Sequence, residues 1–192
     1  MKILPQEFYL SNPSQVAVAL LGKKLVRKIG NYTISGIIVE TEAYYGKSDP
    51  ASRARKGGKL SKIMLGPPGR TLIYMVHGNW LLNIVTCPKG VAGAVLIRAI
   101  EPLSGLSLMM RNRGINDVKK LTNGPGRLTK ALNITNKLNN LPVFDKKSEI
   151  TIYEGRKISS KEIAKSFRIG VSKDLDTPLR FYIKGNPFVS RP

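Results

Sequence analysis

The sequence predicts a mixed α+β fold: a single domain over residues 1–192, with a largely antiparallel, curved sheet, flanking helices and a protruding β-hairpin. Three observations lead there. Strand-like segments outnumber helical ones. Most neighbouring strands are joined by short turns, which favours antiparallel pairing. Hydrophobic residues make up 42% of 192, enough for one packed core and too many for a disordered chain.

The elements follow in order. Asn12-Pro13 reads as an N-cap and first helical residue, with Val16, Leu20 and Leu21 on the inner face and Gly22 as the stop. Lys24 to Lys28 and Ile34 to Tyr44 read as strands around a turn at Gly30-Asn31. Lys47 to Arg70 reads as a basic, glycine-bearing loop. Thr71 to Val76 and Trp80 to Val85 form a hairpin closed through His77-Gly78-Asn79. Ala92 to Ile100 is a further strand ending at Glu101-Pro102, and Leu103 to Arg113 has helical spacing that stops at Gly114. Gly124-Pro125 opens a short helix through Leu132. Glu149 to Tyr153 and Leu179 to Lys184 alternate and finish the sheet.

Composition narrows the chemistry. Lysine and arginine number 32 against 12 acids, a formal net charge of +20. So large an excess suits a polyanion, because bound phosphates release counterions. Cys87 is the only cysteine and His77 the only histidine. Internal disulfides and thiolate clusters are excluded, a zinc site is hard to build, and any Ser-His-Asp triad would need His77. No apolar run reaches the ~18 residues of a membrane helix, and no signal-peptide h-region is seen. A soluble protein of a reducing compartment, with no membrane partner and no metal, is the expectation.

The stretch from Val39 to Tyr44 carries the most information. Alternate strand residues share a face, so Glu40, Glu42 and Tyr44 point the same way. A carboxylate beside an aromatic ring suits water deprotonation next to a stacked, flat, electron-poor ring; a solvated strand face is the plainer reading. Arg98 lies between Leu96 and Ile100 on an apolar stripe and needs a partner, with Glu40, Glu42 and Glu101 as candidates. Such a pair belongs to an active site or is a structural bridge. The hairpin, with Tyr74 on one strand and His77 at its tip, can act as a wedge in a DNA groove, although Leu72, Tyr74 and Val76 share a face that also suits a core. Gly124-Pro125-Gly126-Arg127 offers backbone N–H groups and a cation to a phosphate. Lys47, Arg53, Arg55, Lys56, Lys59, Lys62 and Arg70, with Asp49 the single acid among them, suit contacts to a phosphate backbone.

With these pieces in order, the chain resembles the alkyladenine (3-methyladenine) DNA glycosylase family of base-excision repair. The resemblance rests on six segments: residues 39–44, Asp49-Pro50-Ala51-Ser52, Gly69-Arg70-Thr71-Leu72 with Tyr74, residues 96–102, residues 123–128 and residues 178–187. It implies Glu42 as general base, Arg98 as the active-site arginine holding water and substrate backbone, Tyr44 and Tyr74 as walls for a flipped base, and Asn83 as a pocket amide. It further implies no cofactor, and a duplex DNA partner bearing a damaged purine. Three departures stand out. Arg53 occupies the place of a histidine that packs on the base, and His77 that of a tyrosine wedge. The segment Gly78 to Asn83 is one residue shorter than usual. A guanidinium against the base would oppose cationic purines unless an acid neutralised it.

The expected reaction is hydrolysis of the N-glycosidic bond, with Glu42 stabilising the developing sugar cation and deprotonating water. No lysine sits in a distinctive apolar context, so an abasic product without strand cleavage is expected. A monomer is expected, acting in a nucleoid-associated cytoplasm in a prokaryote or in a nucleus in a eukaryote. The alternatives are a catalytically inactive lesion-sensing or architectural DNA-binding protein, and a basic RNA- or ribosome-associated domain.

Overall fold

The computed structural model describes residues 2–191. Eight strands form one antiparallel sheet: β1 (Lys24–Ile29), β2 (Tyr32–Tyr44), β3 (Thr71–Val76), β4 (Asn79–Val85), β5 (Ala94–Ser104), β6 (Ile150–Tyr153), β7 (Ile163–Ser166) and β8 (Arg180–Ile183). The spatial order is β3-β4-β5-β2-β1-β6. β2 is the hinge of this arrangement. One of its edges pairs with β5, whereas the other pairs first with β1, over Tyr32 to Ile37, and then with β8, over Glu40 to Glu42. Irregularities in the β2–β5 register on both sides of Glu40 mark the change of partner. Such bulges commonly re-aim side chains next to functional sites.

Four short helices complete the fold: α1 (Pro13–Leu20), α2 (Gly58–Met64), α3 (Leu106–Arg113) and α4 (Pro125–Ala131). Asn12 caps α1, its side chain accepting from the Gln15 N–H at 3.1 Å. Val16, Ala17 and Leu20 of α1, Met109 of α3, and Leu128 and Ala131 of α4 join Ile73, Leu82, Ile84, Val95 and Ile97 in the main core. The alternate residues of the same strands face the other way. There Tyr44, Leu72, Val85, Ala94 and Leu96 make a second apolar cluster with Ala54 and Met64. Period-two alternation therefore gives the sheet two buried faces.

Several sequence expectations need correction. Residues 47–70 are not simply a loop: Arg53–Lys56 form a 3-10 turn and α2 follows. Gly57 and Gly58 both have positive φ and obscure the helix start. β5 runs on to Ser104, and α3 begins at Leu106 because Gly105 turns left-handed at φ 78°. β7, a four-residue strand paired only with β8, carries too little pattern to be read. The hairpin turn is two residues long. His77 and Gly78 both have positive φ, and Val76 pairs with Asn79, as a type I′ turn requires.

Candidate active site

Sheet register builds the site. Leu72 pairs with Asn83, Asn83 with Leu96, Leu96 with Glu42 and Glu42 with Arg180, so one row of side chains crosses five strands on a single face. Tyr44, opposite Ala94, shares that face, as does Tyr74, opposite Leu81. Residues distant in sequence thus meet because each strand keeps its alternation.

Glu40 and Glu42 are both fully buried, which rules out a solvated strand face. Arg98 joins them: its Nε donates to Glu40 Oε1 at 2.8 Å, and its Nη1 lies 3.1 Å from Glu42 Oε1. Two of its three candidate partners are therefore real. Glu101 instead accepts from Asn186 Nδ2 at 2.8 Å.

The two acids differ in surroundings. Glu40 also accepts from Arg180 Nε at 2.7 Å, from the Ser190 N–H at 2.7 Å and from the Ser190 hydroxyl at 2.8 Å. Burial pushes its pKa up, but Arg98, Ser190 and Arg180 together outweigh this and hold it below the usual value. Glu42 accepts from the Ile169 N–H at 2.8 Å through Oε1, and from the Tyr44 hydroxyl at 2.8 Å through Oε2. Its burial is only partly offset by Arg98, Ile169 and Tyr44, so its pKa is raised. Burial, then the nearby Glu42, lifts the Tyr44 hydroxyl well above its usual range, so it stays a donor. The environment has split a pair of identical carboxyls into a fixed anion and a more basic partner.

These groups border a cavity of about 520 Å³, within the ~300–1,000 Å³ usual for small-ligand sites. Tyr44, Tyr74, Arg53, Leu96 and Arg98 line it, with Ile169 to Val171 on another side. His77 from the hairpin tip, Gly124 and Arg127 from the start of α4, and Arg191 reach its rim. Glu42 lies directly behind the lining, bonded to Tyr44, Arg98 and Ile169. Asn83 is deeper: it borders a void of about 10 Å³ with Tyr44, Arg53 and Tyr74, and its Nδ2 donates to the Leu72 carbonyl at 3.1 Å. A second groove of about 830 Å³, along Val18, Leu21 and Phe181, shares no lining residue with the first.

The segment 123–127 is placed by an isolated bridge from Asn123 to Ala99, beside Arg98. The N–H of Gly124 donates to the Thr122 carbonyl at 3.0 Å and is not the free donor expected of a phosphate seat. Gly126 has a packing reason instead. A Cβ there would lie 2.7 Å from Asn79 Oδ1 and 2.8 Å from Asn79 Cβ, so its absence lets the tip end of the hairpin meet α4.

Sequence reasoning missed Arg168. Its guanidinium grips Asp49 through both outer nitrogens, at 2.7 and 2.8 Å, donates to Asp174 at 2.9 Å and to the Ala43 carbonyl at 3.0 Å, and stacks 4.5 Å from the Tyr44 ring centroid. Asp49 also accepts from the N–H groups of Tyr45 and Ala51. A lone acid in a basic segment was the available signal, since a buried Asp demands a cation. Ile169 acts through its backbone N–H, which leaves no trace in residue type, and Ser190 through both its N–H and its hydroxyl, with no local pattern to mark it.

Among the described residues, no cluster of three or more His, Cys, Asp or Glu side chains could hold a metal ion, and no helix is long and apolar enough to cross a membrane.

The family described as methylpurine-DNA glycosylase matches residues 7–187. A protein of Aeropyrum pernix, provisionally described as a 3-methyladenine DNA glycosylase, is 44% identical over 99% of this chain and 94% of its own length. Proteins under the same description from Methanoculleus marisnigri and Francisella tularensis are 40% and 41% identical. The first alignment covers 98% of both chains, the second 91% of this chain and 92% of the relative.

Proposed function

The chain belongs to the methylpurine-DNA glycosylase family, and from that premise we propose that Glu42 drives hydrolysis of a damaged purine flipped from duplex DNA into the cavity. The protein is a DNA glycosylase of DNA repair, a hydrolase of N-glycosyl bonds, and DNA is its substrate. The observation that carries the residue assignment is a fully buried carboxylate with a raised pKa, held by Arg98 and Tyr44 against the wall of a cavity roomy enough for a purine.

In this reading the C1′–N bond breaks, its electron pair leaves with the base, and positive charge develops on the sugar. Water adds to C1′ and its proton passes to the Glu42 carboxylate. Arg98 and the Ile169 N–H fix Oε1, while Oε2 accepts, among the described residues, only from Tyr44 and keeps a lone pair for the water proton. Reaching Oε2 requires a small displacement of the Tyr44 ring or of the Ile169-Gly170 segment, because Glu42 has no exposed surface. Tyr44 and Tyr74 offer stacking faces, and Asn83 supports Tyr74 from beneath. His77, at an exposed turn, suits the space vacated by the base, and Arg127 beside Gly124 suits the adjacent phosphates. Among the described residues no lysine lines the cavity, so its wall offers no lysine amine for imine chemistry. The product is an unbroken strand with an abasic site, formed by a monomer.

Incubation with duplexes carrying single lesions tests this. Base release lost in Glu42→Gln supports it. Lesion binding without release by the wild type would indicate a sensor, and an imine trapped by borohydride would overturn simple hydrolysis.

A further inference from the structure

We infer that Arg53 sets the charge preference of the base slot, disfavouring purines with a fixed positive charge and favouring neutral damaged purines. The inference rests on the proposed use of the cavity as that slot.

Away from the exposed rim, three guanidiniums stand at or behind its walls, and two are neutralised. Arg98 faces Glu40 and Glu42, and Arg168, behind Tyr44, is held by Asp49 and Asp174. Arg53 differs. It is half-buried, lines the cavity and sits 4.7 Å from the Tyr74 ring centroid, and among the described residues no carboxylate forms an ion pair with it. The one acid of its own segment, Asp49, is committed to Arg168 through both oxygens.

Two consequences follow for a base stacked there. Alkylation at N3 or N7 of a purine nucleoside leaves a full positive charge on the ring, whereas deamination or an etheno bridge leaves it neutral. The attraction that Tyr74 would extend to a cationic ring is already satisfied by the guanidinium. The uncompensated charge then repels a cationic base inside a partly dehydrated cavity, while a planar guanidinium stacks favourably on a neutral one. Among the described residues Arg127 and Arg191 also form no ion pair with a carboxylate, but they are exposed at the rim, where DNA phosphates can balance them.

The test is single-turnover release of 7-methylguanine and of hypoxanthine from otherwise identical duplexes, compared as a ratio so that intrinsic leaving ability cancels between variants. Arg53→Gln should raise the 7-methylguanine to hypoxanthine ratio about tenfold, and Arg53→Lys should leave it within about twofold. An unchanged ratio in Arg53→Gln overturns the inference; both rates falling together would identify a phosphate contact. The same ratio, read as equilibrium binding in a Glu42→Gln background, must move the same way. Failure of the wild type to release either base would sink the catalytic reading, while that binding ratio would still decide the role of Arg53.

Discussion

The Arg168 guanidinium stacks 4.5 Å from the centroid of the Tyr44 ring, and the residue that follows it donates its N–H to Glu42. One short segment therefore fixes both an aromatic wall and the acid behind it. The Asp49 bridge anchors this segment from 119 positions away. Asp49→Asn leaves Arg168 with Asp174 alone as a carboxylate partner and should destabilise the fold by about 3 kcal/mol, the lower end for breaking a buried pair. Single-turnover base release should fall by ~10- to 100-fold as Tyr44 and Glu42 lose alignment. Denaturant unfolding and release rates check both. Wild-type stability in this variant would mean that the Arg168 charge is balanced elsewhere.

Glu42→Gln should separate chemistry from binding. The amide keeps the shape of the carboxyl, can accept from Arg98 and Ile169 through its oxygen and can donate to Tyr44 through its nitrogen. Release of the base should fall by ~10²- to 10⁴-fold, the usual contribution of a positioned base, while affinity for lesion duplex is retained. Gel-shift titration beside a release assay reads both. Weakened binding in proportion to the lost rate would assign Glu42 to recognition.

Much of this site was legible in the sequence, and for a local reason. Strand alternation put Glu40, Glu42 and Tyr44 on one face, and the cost of burying Arg98 demanded an acid. The Asn12 cap and the tight hairpin were likewise written in adjacent residues. Arg168, Ser190 and the second bond of Glu40 to Arg180 were not, because each depends on closing loops of more than a hundred residues that leave no periodic signal. α2 was hidden by its glycine start and lack of a side-chain cap.

Gly126→Ala tests the contact between the hairpin and α4. The new Cβ would sit under 3.0 Å from three atoms of Asn79, including its Cβ, so the near end of that side chain must move. Overpacking of this kind costs ~1–3 kcal/mol. It should also displace the tip end of the hairpin, lowering affinity for lesion duplex. Pairing it with Asn79→Gly removes the obstacle and should recover most of the loss, which a double-mutant cycle of unfolding energies would reveal. Additive losses would show that the clash is relieved by another route.

The two buried acids should respond to pH with opposite signs. The folded pKa of Glu40 is below its ordinary 4.5, because Arg98, Ser190 and Arg180 outweigh burial. Its contribution is therefore complete above the unfolded value and is lost as pH falls through the lower folded one. Glu40→Gln should cost about 3 kcal/mol at about pH 7, since it strips a carboxylate from two buried arginines, and the cost should shrink below about pH 4. Glu42 is raised from the same 4.5, chiefly by burial. The fold prefers its protonated form, so the stability it contributes is present below the unfolded value and declines as pH rises through the folded one. Relative to wild type, Glu42→Gln should then gain stability as pH rises from about 4 to about 8, the reverse of the trend for Glu40→Gln at its acid edge. Denaturant unfolding of the three proteins across this range decides the matter. Parallel curves for the two variants would mean that the folded environment does not set the acids apart, and the assignment of Glu42 as the more basic of the pair would fall with it.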